Sequence, residues 1–162
     1  MHNATSGLFG GNIQLGKPGL AAGTTTTYTI GAAFNYAIAG QAYNKGTASN
    51  AASPTTDAIT GAAFRALVAD QACVFVFCVN AAGTVSVAQG PIVALSAVTG
   101  GLSAVHFPAI PDGLTAFGYL YAQAGTTLSG SWTFGSSNLS GVTGMTYTFR
   151  DLVLPPAQPI TA

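Results

Sequence analysis

Residues Cys73 to Gly90 read CVFVFCVNAAGTVSVAQG. In an extended chain, alternation puts Cys73, Phe75, Phe77 and Val79 on one side and Val74, Val76 and Cys78 on the other. Both sets are apolar, so the stretch predicts a strand covered on both faces rather than one lying half in water. Asn80-Ala81-Ala82-Gly83 follows as a short loop with a glycine able to take positive φ. Thr84 to Ala88 then returns as the second arm of a hairpin. The two cysteines are five positions apart, an odd separation that places them on opposite faces, about 17 Å apart along the strand. A disulfide needs Cα atoms within about 7 Å, so the pair is expected to be reduced and buried.

The same two-residue period recurs on both sides of this unit. In Gly144 to Arg150, Met145, Tyr147 and Phe149 alternate with Thr146, Thr148 and Arg150, the pattern of a half-buried strand. Ser131 to Phe134 repeats it briefly. Thr24 to Ile30 is β-branched and suits a pleated surface. Phe117, Tyr119 and Tyr121 are expected on one face of another strand, with Gly118, Leu120 and Ala122 behind. Further strands are expected over Phe34–Ala39, Ile92–Leu95 and Leu102–Phe107. Helix signals are scarce: Asp57 to Asp70 reads either as a short helix weakened by Gly61 or as a loop leading into a strand.

About eight or nine short strands punctuated by Gly, Pro, Asn and Ser describe an all-β chain. The expectation is a single β-sandwich, jelly-roll-like in its simplest form, with an immunoglobulin-like order left open. Its body is expected over residues 24–154. Residues 1–23 form a Gly-rich extended N-terminal arm, and 155–162 a Pro-rich C-terminal tail that is extended because proline fixes φ and removes amide donors. Asn44 to Thr56 is small and polar and reads as an exposed loop. Apolar residues on such arms need a surface, either this chain's own sandwich or a neighbouring subunit.

The 162 residues suit one domain. Charged residues make up only 5% of them, against about 25% in an ordinary soluble domain. Four Lys and Arg balance four Asp, Glu is absent, and the net charge is zero. Direct nucleic-acid binding through a basic patch is excluded, because counterion release needs clustered cations. No apolar run approaches the roughly 18–20 residues of a spanning helix, and a transmembrane barrel would need stronger alternation and aromatic girdles. No membrane association is expected. The opening residues lack a cationic and apolar leader, so the chain is expected to be made and used without export by that route.

Catalytic groups are few. Asp57, Asp70, Asp112 and Asp151 are the only acids, and nothing in their spacing pairs two carboxylates across a cleft. His2 and His106 are the only imidazoles, with no nucleophile elbow or phosphate-binding glycine motif beside them. The chain is read as a non-enzyme without cofactor or metal. Sequons at Asn3 and Asn138 are read as chance matches. Trp132 with Tyr119, Tyr121 and Tyr147 would make a sugar-stacking platform if exposed, but its place between Ser131 and Thr133 favours the core.

An exterior this short of charge repels its neighbours weakly, and large permanent interfaces are themselves depleted in Lys, Glu and Asp. Association is therefore the expected role. Three stretches carry a resemblance: LFGGNIQLGKPGLAAGTTTTYTI from Leu8, PAIPDGLTAFGYLYAQAGTT from Pro108, and WTFGSSNLSGVTGMTYTF from Trp132. In texture the chain resembles virion structural proteins of tailed bacteriophages, of the head decoration or cement type. That resemblance implies a β-sandwich subunit, often a homotrimer, seated on the capsid surface over junctions of the major capsid protein, and made in the host cytoplasm. The expected inter-subunit contacts are Leu8, Phe9, Ile13, Leu15 and Leu20 on the first arm, with Pro155, Pro156 and Ile160 on the tail. The alternative is a carbohydrate- or receptor-binding β-sandwich of a phage fibre or tail, which predicts an exposed aromatic row.

Overall fold

The structure, a computed structural model, describes residues 11–152. Its strands are β1 (Ile13–Leu15), β2 (Leu20–Ala22), β3 (Thr27–Ile30), β4 (Phe34–Ile38), β5 (Gln41–Lys45), β6 (Ala48–Ala52), β7 (Gln71–Asn80), β8 (Val85–Gln89), β9 (Val93–Ala94), β10 (Leu114–Ala124) and β11 (Met145–Asp151). A single turn of helix, α1 (Leu95–Thr99), follows β9. The chain is all-β, as expected, with sheets packed against one another.

The central sheet has the order β11-β10-β7-β8, and β9 pairs with the start of β7. All its pairings are antiparallel. The hairpin at residues 80–83 closes as read: the Asn80 side-chain oxygen accepts the amides of Ala82 and Thr84 at 3.0 and 2.9 Å. Two smaller sheets, β1-β4-β5 and β2-β3-β6, complete the strands.

The two faces of β7 divide as its alternation predicts. Cys73, Phe75, Phe77 and Val79 enter the larger core with Tyr28, Ile30, Phe34 and Tyr36 of the small sheets. Val74, Val76 and Cys78 enter a second core, closed by Val98 of α1, Val105 and Leu152. Burying both faces of one strand gives three layers: small sheets, central sheet, and the stretch carrying α1. Cys73 and Cys78 are free and buried.

Several expectations are corrected. The sandwich begins at Ile13 rather than at residue 24, because β1 pairs with β4 and β2 with β3. Asn44–Thr56 is not simply a loop: β6 lies within it and pairs with β3, and the Ala48 and Ala51 methyls that pack on the core are too small to mark a period. Asp57–Asp70 forms no helix. The Asp57 carboxylate takes the amides of Ile59 and Thr60, a local competitor of helical bonding.

Of Ile92–Leu95 only Val93 and Ala94 are strand, and α1 starts at Leu95. Asp70 caps that helix from a distant loop, accepting the Ser96 amide and hydroxyl at 2.8 and 2.7 Å. Leu102–Phe107 is irregular apart from a bridge residue at Val105. In Ser131–Phe134, only Trp132 pairs, with Leu67. In β10 the register slips between Ala116 and Gly118. This bulge turns Phe117 into the larger core, away from Tyr119 and Tyr121 on the opposite face.

Candidate interaction surface

The residues expected to make contacts with neighbours divide three ways. Leu8, Phe9, Pro155, Pro156 and Ile160 lie outside the described residues. Leu20 is only 6% exposed and belongs to the chain's own larger core. It lies over Gly118, where an added Cβ would meet the Leu20 Cδ2 at 2.7 Å. Ile13 is half-buried in β1. Leu15 is 57% exposed at the end of the same strand, and β1 is an edge of its sheet. Of the described contact residues, Leu15 alone presents most of an apolar side chain to solvent.

The segment around Leu20 is held by an acid more than 130 positions away in the sequence. The Asp151 carboxylate, at the end of β11, accepts the amides of Gly19 and Leu20 at 3.1 and 2.9 Å. Asp70 caps α1 in the same manner. Asp57 is 6% exposed and accepts four donors: the amides of Gln89, Ile59 and Thr60 and the Thr60 hydroxyl. Burial pushes its carboxyl upward, but these hydrogen bonds outweigh that and hold it below the ordinary carboxylate range. Lys45 Nζ donates to the Gly83 carbonyl at 2.7 Å. Half of the charged side chains are thus committed to this chain's own polar groups. Lys17, Arg65, Asp112 and Arg150 remain exposed.

β11 forms one edge of the central sheet. Gly125 donates to the Gly144 carbonyl and Leu152 to that of Phe117. These bonds fix the alternation of the ladder, so the amides and carbonyls of Tyr147 and Phe149 point away from β10. Among the described residues no backbone bond reaches those groups. The edge carries neither Pro nor a bulge against β10, and its two charged side chains, Arg150 and Asp151, sit together at its C-terminal end. The β8 edge, by contrast, is covered: Ala58 donates to the Val87 carbonyl and Gln89 to Asp57.

Beyond β8 lies an open groove of about 800 Å³, between the 57–65 loop and the turns at 89–92 and 107–109. Ile59, Ala62, Pro91, Ile92, Phe107 and Pro108 give it apolar walls, and Arg65 stands at its rim. Ile59 is 47% exposed. Sequence reading missed this groove because its walls come from three separate loops.

The aromatic side chains form no single platform. Trp132 is 1% exposed, stacked edge-on to Phe75 and donating from its indole nitrogen to the Asn138 carbonyl at 2.8 Å. Tyr119 and Tyr121 lie on the other face of the central sheet. No described aromatic is more than partly exposed. Burial pushes both thiols up to about 12, so they stay protonated at neutral pH. Among the described residues, no three His, Cys or acidic groups gather as a metal site. No helix there is long and apolar enough to cross a membrane. No family model, curated protein or solved structure matches the chain.

Proposed function

We propose that the chain is a virion structural protein of the phage head. In this reading it decorates the capsid surface and stabilises it by bridging neighbouring copies of the major capsid protein. The carrying observation is the exterior: only four exposed charged side chains, and an edge strand in which the outward backbone groups of Tyr147 and Phe149 have no backbone partner among the described residues. Such a surface gains little from mutual repulsion in solution and much from being covered. The role is structural rather than catalytic, and it calls for no cofactor, nucleic acid or membrane.

The β11 edge is suited to strand addition, in which a partner's extended segment supplies the missing ladder. Such a contact is head-to-tail, and a head-to-tail contact whose rotation closes forms a ring, consistent with a homotrimer. Leu15 and residues 1–10 supply further apolar contacts with neighbours. Many weak contacts repeated over a shell give durable attachment.

The test is cosedimentation of the full chain with empty shells of the cognate major capsid protein. Chains lacking residues 1–10, and the variant Leu15→Asp, are compared for occupancy and for heat resistance of the particle. Reduced occupancy with an unchanged urea midpoint supports the reading. Failure of the full chain to join shells overturns it.

A further inference from the structure

The groove beside β8 and residues 153–162 share a chemistry, and we infer that in the free subunit this groove is the seat of the chain's own segment 153–162. The inference does not depend on the capsid reading. Three observations carry it.

The first is composition. The segment reads VLPPAQPITA, apolar and uncharged, with three prolines in ten residues. Prolines pre-set φ, so seating such a segment costs less ordering entropy than seating an ordinary peptide. Pro-rich segments dock in grooves with aromatic and apolar walls, and the walls here are Phe107, Pro108, Pro91, Ile92 and Ile59. An occupant without charge leaves Arg65 hydrated at the rim and strands no ion.

The second is the point of exit. Leu152, the last described residue, is 6% exposed and lies in the second core. Phe107, which packs against that core, also lines the groove. The chain therefore leaves the body beside the layer from which one groove wall is built.

The third is reach. Leu152 is bonded to Phe117 across from β10, and Gly90, at the groove, to Val74 of β7. From β11 to β8 is three strand spacings, about 14 Å, and the offset along the strands is about four residues, roughly 13 Å. The path is thus about 20 Å. A ten-residue polyproline-type segment spans about 31 Å, enough to cross and still lie along the walls. Tethering at that range gives an effective concentration in the millimolar region, which favours the chain's own segment over a second copy. Covering both surfaces at once also removes two apolar liabilities from a protein with little charge to keep it dispersed.

The experiment uses the full chain with Thr161→Cys carrying a nitroxide; the native thiols are buried and stay unlabelled. Expected is loss of amide signal at Ile59, Ala62 and Arg65, which persists when labelled chain is diluted into unlabelled chain. Ile59→Asp, at an exposed position, restores those signals while leaving the remaining spectrum folded. Uniform weak broadening, broadening elsewhere, or signal loss unchanged in Ile59→Asp overturns the assignment. Broadening that vanishes on dilution also overturns it, and identifies a second copy as the donor.

Discussion

Ala39 and Gly40 join β4 to β5 with φ of 50° and 80°, the left-handed pair of a two-residue hairpin turn. Glycine takes that conformation freely, whereas alanine pays about 1 kcal/mol for the close approach of its Cβ to the carbonyl. Asn-Gly is the preferred pair, so Ala39→Asn is expected to stabilise the fold by about 0.5–1 kcal/mol, read as a higher urea midpoint. Asp57 is a second residue whose worth comes from backbone donors. Its folded pKa lies below the unfolded value, so its contribution is complete above the unfolded pKa and is lost as pH falls through the folded one. Asp57→Ala should cost about 1–3 kcal/mol at pH 7, mostly from the amides it orphans. Denaturation across a pH series should show the gap between variant and wild type narrowing in acid, by the part tied to ionisation; a gap independent of pH would reject the carboxylate's role. Sequence reading identified Asp57 as an acid without a catalytic partner. The donors it holds come partly from Gln89, 32 positions away, and no local pattern announces them.

Among elements, β7 was the most legible because large side chains on both faces leave an unambiguous period. β6 was the least, because alanines bury little area and mark a face weakly. β10 shows a different failure: one extra residue at Phe117 reverses the facing of everything before it, and the sequence around a bulge still alternates. β11 was read correctly, but its status as an edge is a property of the sheet. Thr148 lies at its centre, on the face away from Tyr147 and Phe149. Thr148→Lys should reduce concentration-dependent association in sedimentation, since edge lysines oppose strand addition. Thr148 is half-buried, so stability should fall by no more than about 1 kcal/mol, the ordinary cost of a point substitution. Unchanged association would remove β11 from the proposed surface.

At the scale of the molecule, the N-terminal segment is the instructive case. Its spaced apolar residues were read as an arm that needs a surface, and for Leu20 that surface is this chain's own sheet. Leu20→Ala is expected to cost about 2–4 kcal/mol through transfer and cavity terms, measured by chemical denaturation; a loss under about 0.5 kcal/mol would mean that Leu20 is not part of the core. Leu15→Asp, by contrast, should leave stability almost unchanged. The amino-acid order alone determined the all-β class, the central hairpin, the two-sided burial of β7 and the poverty of surface charge. These rest on local periodicity and composition, which need no knowledge of neighbours. Tertiary structure decided where the sandwich starts, which acids hold backbone amides, which edge lies open and where the groove forms. Each of those depends on residues far apart in the chain meeting in space, and burial, unlike alternation, is a property of the meeting.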